Sequence, residues 1–139
     1  MSTQGKQTVI VSGARTAFLE TAGAFSELMP HQLGAAAIKG VMQRSGLPVD
    51  KVGMVAMGIV VHEIETTNVA REAMLSAGMS SRTPAFTTAM AGLSPNVALA
   101  SLTDMIRQGR FDFAVAGGME TFSDCLLYTS PSPRDLSTS

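Results

Sequence analysis

The fold is decided by residues 84–118, which read PAFTTAMAGLSPNVALASLTDMIRQGRFDFAVAGG. Pro84–Met90 is short and contains threonines, which predicts a strand. Ser94–Pro95 then supplies an N-cap and a first-turn proline. Helical spacing (i, i+4, i+7, i+8) follows at Ala98, Leu102, Met105 and Ile106. Phe113–Ala116 is continuously apolar and predicts another strand, which we expect Gly117–Gly118 to stop.

The segments before residue 84 alternate in the same way. Thr8–Ser12 is a short β-branched run that predicts a buried strand, and Arg15–Pro30 predicts a loop with one helical turn. His31–Ser45 carries apolar residues at helical spacing and ends before a glycine. Val52–Val61 is mostly apolar and predicts a strand covered on both faces. Asn68 caps the next predicted helix, which a glycine closes at position 78.

Strands that alternate with helices predict an α/β fold. Crossover connections of this kind build a parallel or mixed sheet with helices packed on it. We expect a mixed sheet with helices on both faces.

Composition and charge exclude several classes of protein. The chain has 139 residues, 45% hydrophobic and 15% charged, with 10 Lys+Arg against 11 Asp+Glu. A nucleic-acid or anionic-membrane surface needs a clustered excess of cations, so neither partner is expected. No apolar run reaches the ~18 residues of a membrane helix, and no export signal is evident, so we expect a cytoplasmic protein. One cysteine excludes a disulfide framework and a cysteine-cluster metal site, and no metal is expected.

The last 15 residues differ in character from the rest. Composition alone allows a Ser/Pro-rich disordered terminus. However, residues 125–135, CLLYTSPSPRD, resemble one reading frame of the adapter used in transposon-based sequencing libraries. We therefore predict a C-terminally truncated domain over residues 1–124 and an artefactual, disordered tail over residues 125–139. Cys125 belongs to that tail.

Six motifs together resemble the N-terminal half of thiolases, in the same order and at the same spacing. They are Val11–Phe18, Leu33–Ile38, Arg44–Asp50, Gly58–Arg71, Asn68–Ala73 and Val115–Glu120. Gly58–Arg71 is most similar to the 3-ketoacyl-CoA thiolases that form the β-subunit of the fatty-acid oxidation trifunctional complex. The resemblance implies part of a layered αβαβα fold and an acetyl-CoA C-acyltransferase of fatty-acid β-oxidation. It also implies coenzyme A and acyl-CoA as substrates rather than a resident cofactor, a dimer or tetramer when full length, and a trifunctional α-subunit as a partner.

The family's nucleophile motif falls on Thr87–Asn96, where thiolases carry the acyl group on a cysteine. That position is Gly92 here, although its neighbours Met90, Ala91, Ser94 and Asn96 match the trifunctional type. A thiolate is favoured at a helix N-terminus, but glycine cannot form a thioester, so the resemblance implies a chain inactive as written. Whether Gly92 is natural or a sequence error stays open. The alternatives are a non-catalytic acyl-CoA-binding or scaffold subunit, and a relative of the condensing enzymes of fatty-acid synthesis.

Other polar residues carry weaker predictions. In the family, the catalytic histidine and second cysteine belong to the C-terminal half. We therefore expect His31 to help start its helix and His62 to lie on the loop after the second strand. Arg15 and Arg71 are expected to be solvated or ion-paired rather than bound to coenzyme A phosphate or a partner subunit. Glu120 is expected to hold a loop.

Overall fold

The computed structural model describes residues 7–123, in which three helices alternate with three strands. In chain order the elements are α1 (Pro30–Ser45), β1 (Val52–Gly58), α2 (Val69–Ser76), β2 (Ala85–Thr88), α3 (Ser94–Arg107) and β3 (Phe113–Gly118). A short 3₁₀ turn, Val49–Lys51, leads into β1. The α/β class is confirmed.

The sheet places β1 between β2 and β3, and both pairings are parallel. Val55 at its centre pairs with Ala85 on one side and with Val115 on the other. Each strand is reached through a helix that returns the chain to the same end of the sheet, which imposes parallel pairing. The parallel alternative therefore holds among residues 7–123, and the mixed pairing that we expected is not found there.

Helices cover both faces of the sheet, as expected. Val55 and Met57 of β1 point into a core shared with α1 and α2, whereas Ala56 between them points toward α3. The first core also contains Ile38, Val52, Ile59, Val69, Ala70, Ala73, Met74, Met79 and Met119. The second contains Ala98 and Leu102, with Met54, Phe86, Met105, Phe111, Ala114 and Ala116 packed against it.

Local signals explain where the first two helices begin and end. Gly46 closes α1 with φ of +64°, and Gly78 follows α2 with φ of +82°, a left-handed conformation that favours glycine. The Asn68 side chain accepts a hydrogen bond from the Arg71 amide and so caps α2, as predicted. The cap of α3 differs, because Leu93 holds the N-cap position and Ser94 is already helical.

Two strand predictions are wrong. Thr8–Ser12 forms no strand, and its side chains Val9, Ile10 and Val11 are 70%, 79% and 73% exposed. A strand requires a neighbour for its backbone groups, and β3 pairs only with β1 among the described residues. In contrast, β3 does not stop before Gly117–Gly118 but includes both glycines. A Cβ atom at Gly118 would lie 2.5 Å from Cγ of Pro95, so the close approach of α3 requires glycine there.

Within the described part of the chain, no helix is both long enough and apolar enough to cross a membrane. Residues 124–139 lie outside the described residues. The predicted domain boundary at residue 124 and the predicted tail over residues 125–139 therefore stay predictions.

Candidate functional site

Gly92 lies on a tight turn between the end of β2 and the start of α3. The turn is closed by two backbone hydrogen bonds, in which the amides of Leu93 and Ser94 donate to the carbonyls of Met90 and Ala91. Ala91 has φ of +45°, a left-handed conformation that residues other than glycine rarely adopt. The turn thus presents Gly92 directly before Leu93, the N-cap residue of a 14-residue helix.

The Ser94 hydroxyl connects this turn to the end of β1. Ser94 is completely buried, and its Oγ accepts a hydrogen bond from the Met90 amide at 2.8 Å. The hydroxyl hydrogen has two acceptors, the Ala91 carbonyl at 2.6 Å and the Ile59 carbonyl at 3.2 Å. Thr88 at the end of β2 donates its own hydroxyl to the Ser94 carbonyl at 2.8 Å. Our N-cap prediction for Ser94 is wrong because its side chain turns back toward the strands.

The structure has room for a side chain at position 92. A Cβ atom built on Gly92 meets no heavy atom within 4 Å, and its backbone is outside the left-handed region. By contrast, a Cβ atom on Gly58 would lie 2.5 Å from the backbone of α3. A cysteine therefore fits at position 92 without displacing its neighbours. The N-terminus of α3, which is the positive end of the helix dipole, would favour its thiolate.

Gly92 also borders a cavity of about 1130 Å³. The cavity lies between residues 8–21, α1, β3 and the start of α3. Much of its lining is apolar, including Val9, Val11 and Phe113. A side chain at position 92 would therefore be accessible from this cavity, which is a requirement for a nucleophile that must meet an acyl group.

Glu120 holds the loop that follows β1, as expected. Its Oε2 accepts hydrogen bonds from the amides of Val60 and Val61 at 2.7 Å and 3.2 Å. Its Oε1 is buried and has no hydrogen-bond partner among the described residues. Glu120 also lines the cavity that Gly92 borders.

Two histidines lie away from Gly92, and neither lines the cavity in the described part of the chain. His31 is the second residue of α1, and its Nδ1 is 2.8 Å from Oε1 of Glu63. The Glu63 side chain is only 1% exposed, so this contact is an ion pair when His31 is protonated. His62 is exposed on the loop after β1, as predicted. Sequence reasoning missed Glu63, because nothing in a polar loop signals a buried carboxylate.

Arg71 anchors the loop that leads into β2. Its guanidinium donates hydrogen bonds to the carbonyls of Thr83 at 2.6 Å and Ser81 at 2.7 Å. The prediction that Arg71 is solvated or ion-paired is therefore wrong, because its donors face backbone carbonyls. Arg15 is exposed above the Phe18 ring, which agrees with the solvated alternative.

Asn68 does more than cap α2. Its Oδ1 accepts a hydrogen bond from the Thr87 hydroxyl at 2.9 Å, and its Nδ2 donates to the Ala85 carbonyl at 3.0 Å. These bonds fix β2 immediately before the turn that carries Gly92. No group of three metal-ligating side chains occurs within residues 7–123.

Comparison with known proteins identifies the family. The family model for the thiolase N-terminal domain matches residues 8–137, a range that extends past the predicted boundary at residue 124. The β subunit of the mitochondrial trifunctional enzyme from Bos taurus is 44% identical over 128 residues, which are 92% of this chain and 27% of that protein. Its Homo sapiens counterpart is 41% identical over 131 residues, 94% of this chain and 28% of that protein.

A bacterial protein is also similar. The 3-ketoacyl-CoA thiolase of Yersinia pestis (strain Pestoides F) is 34% identical over 120 residues, 86% of this chain and 28% of that protein. The chain thus spans little more than a quarter of the length of these relatives. With a domain match over most of its residues, the chain belongs to the thiolase family and carries the thiolase N-terminal domain.

Proposed function

We propose that the chain is part of an acetyl-CoA C-acyltransferase, a 3-ketoacyl-CoA thiolase of fatty-acid β-oxidation, whose nucleophile position is Gly92. The turn at the start of α3 carries this proposal. It offers an unobstructed position for a side chain, a helix N-terminus behind it and a cavity in front of it. The similarity to a protein named 3-ketoacyl-CoA thiolase supports the same assignment.

The chemistry requires a sulfur atom at this position. A cysteine thiolate attacks the 3-keto carbonyl, the bond between the α-carbon and that carbonyl breaks, and acetyl-CoA leaves once its α-carbon takes a proton. The acyl group stays on sulfur as a thioester until the thiol of coenzyme A takes it over and the cysteine is released. Gly92 has no atom that can form this thioester. The chain as written is therefore expected to be inactive in acyl transfer.

The substrates and partners form part of the same proposal. Coenzyme A and acyl-CoA are the substrates that this reaction requires. Assembly as a homodimer or homotetramer, and with a trifunctional α-subunit, is supported by similarity to proteins named as β subunits of a trifunctional enzyme. A cytoplasmic location is part of the proposal as well.

A second function is favoured by one observation, the glycine in an otherwise well-formed site. Residues 88–94 keep their hydrogen-bonded geometry without any nucleophile at position 92. A thiolase-like subunit that binds acyl-CoA without transferring the acyl group, or acts as a scaffold, would have these properties.

Sequencing of the source gene across codon 92 and past codon 124 tests both functions. A cysteine codon followed by the rest of a thiolase, with its downstream histidine and second cysteine, supports the enzyme. A confirmed glycine in a complete gene that also lacks those two residues supports the binding subunit. In that case, mass spectrometry of the complete protein with labelled acyl-CoA should detect a non-covalent complex and no thioester. A gene that does not continue as a thiolase contradicts both functions.

A further inference from the structure

The backbone conformation of the turn at residues 90–92 must be stabilised by contacts with other residues. Ala91 has φ of +45°, a backbone conformation that costs free energy for a residue with a side chain. The neighbouring side chains Met90 and Leu93 are 56% and 59% exposed, so core packing does not fix the turn. Its conformation must therefore depend on hydrogen bonds.

Ser94 supplies those bonds from a buried position. Its hydroxyl contacts the peptide groups on both sides of the Met90–Ala91 pair, accepting from the Met90 amide at 2.8 Å and lying 2.6 Å from the Ala91 carbonyl. It also lies 3.2 Å from the Ile59 carbonyl, just beyond β1. One buried side chain therefore links the turn to the central strand.

The packing around Ser94 leaves no room for this link to move. A Cβ atom at Gly58 would lie 2.7 Å from Cβ of Ser94, so α3 sits directly against the end of β1. Thr88 fixes the Ser94 backbone from the other side by donating to its carbonyl at 2.8 Å. The start of α3 is thus held by both neighbouring strands, and the turn is held by Ser94.

We propose that Ser94 is a positioning residue for the nucleophile of this site: its hydroxyl fixes the turn so that a side chain at position 92 is kept at the N-terminus of α3 and open to the cavity. This inference rests on the proposed function, because it matters only if position 92 carries a thiolate. The effect of a helix N-terminus falls off within its first turn, so a sulfur atom that drifts away loses its stabilisation. Loss of the Ser94 hydroxyl would then raise the pKa of a thiol at position 92 toward that of a free thiol, about 8.5.

The test is the pH profile of thiol alkylation in the full chain. The background is Gly92→Cys combined with Cys125→Ser, which leaves one thiol. Iodoacetamide rates are measured from pH 5 to 10, with and without Ser94→Ala. The reference for an ordinary thiol is Glu65→Cys with Cys125→Ser, since Glu65 is exposed on the loop after β1.

Thr83→Val is the matched control. Thr83 is also buried, and its hydroxyl also donates to a carbonyl of β1, that of Val52 at the opposite end of the strand. Both substitutions therefore remove one buried hydroxyl that faces the β1 segment. Only the Ser94 substitution acts on the turn, so a general loss of stability would affect both variants alike. Far-UV circular dichroism is recorded for each variant.

With Ser94 present, the Gly92→Cys thiol is expected to titrate at least ~1 pH unit below the Glu65→Cys thiol. Ser94→Ala should remove most of that difference, and Thr83→Val should leave it unchanged. An unchanged midpoint in a folded Ser94→Ala variant would overturn the inference and leave the proposed function standing. Equal midpoints for the two thiols with Ser94 in place would count against the proposed function itself. If Ser94→Ala unfolds, Thr88→Val carries the test: a smaller upward shift supports the inference, and no shift overturns it.

Discussion

Two regions of the molecule, one face of β1 and the edge of the sheet beyond it, are closed to different degrees. The closed face is the core formed by Ile38, Val55, Met57, Val69 and Met74, all of which are buried between the sheet, α1 and α2. The open edge comprises residues 8–12 and the outer side of β3, with a cavity of about 1130 Å³ beside them. On the closed face these side chains pack against one another between the helices and the sheet. At the open edge, apolar side chains face the cavity and solvent.

The difference shows that apolar β-branched sequence is insufficient for a strand. Thr8–Ser12 and the start of β1 look alike by pattern, yet in the part of the chain that the structure describes only β1 has strand partners on both sides. Backbone amide and carbonyl groups must be paired before a strand can be buried. Among residues 7–123, the open edge is also where a further strand would find unpaired backbone groups on β3 and uncovered apolar side chains.

The largest effect is expected on the closed face. Ile38→Ala removes a side chain that is 1% exposed, and the cavity it leaves should lower the free energy of unfolding by about 2–5 kcal/mol. Urea unfolding followed by circular dichroism measures this loss. A change below 1 kcal/mol would mean that the closed face is not the stable part of the molecule.

Breaking the His31–Glu63 contact should have the next largest effect. His31→Leu leaves the buried Glu63 carboxylate without its imidazole partner, which should cost about 1–3 kcal/mol. Adding Glu63→Gln removes the buried charge and should recover part of the loss. His62→Ala, at an exposed position on the same loop, is the control and should change stability little. An equal loss in the two single variants would contradict the assigned contact.

Substitutions at Gly118 and Gly92 should have different effects on stability, because a side chain is crowded at one position and unobstructed at the other. Gly118→Ala places a Cβ atom 2.5 Å from Pro95 and should cost about 1–3 kcal/mol through displacement of α3 from β3. Gly92→Ala meets no atom within 4 Å and should be neutral or slightly stabilising. Thermal unfolding of both variants checks the difference. A destabilising Gly92→Ala would show that position 92 has no room for a side chain.

The smallest effect is expected at the open edge. Ile10→Ala removes the same atoms as Ile38→Ala, but from a side chain that is 79% exposed. The loss should stay within about 0.5 kcal/mol. Urea unfolding followed by circular dichroism measures this change as well. A loss of stability comparable to that of Ile38→Ala would mean that residues 8–12 are buried in solution.

Sequence predicted the elements whose signals are local. The Asn68 cap, the left-handed glycine after α2 and the apolar spacing of α3 each depend on residues within one or two turns. The helices on both faces followed from the alternation of strands and helices. The assignment of Gly92 as the nucleophile position came from the resemblance of residues 87–96 to a family motif.

Contacts between distant residues were not predictable. Arg71 binds carbonyls ten and twelve residues away, and His31 meets Glu63 across 32 positions. Ser94 was assigned as an N-cap from its place before Pro95, but the helix starts one residue earlier and the hydroxyl reaches Ile59. Patterns along the chain carry no information about such partners, since each contact depends on how the elements pack.

The central claim, that position 92 is the nucleophile position of a thiolase, is tested most directly in a complete enzyme. Residues 8–123 of this chain would replace the matching segment of the Yersinia pestis 3-ketoacyl-CoA thiolase, once with Gly92 and once with Gly92→Cys. Size-exclusion chromatography and circular dichroism establish that both chimeras are folded. The measurement is the rate of 3-ketoacyl-CoA cleavage by coenzyme A, together with the intact mass of the acylated protein.

The account predicts that the Gly92→Cys chimera forms an acyl-enzyme and cleaves the substrate. The Gly92 chimera should be slower by ~10⁴-fold or more and should form no thioester. Equal rates in the two chimeras, or a folded Gly92→Cys chimera that is never acylated, would contradict the claim.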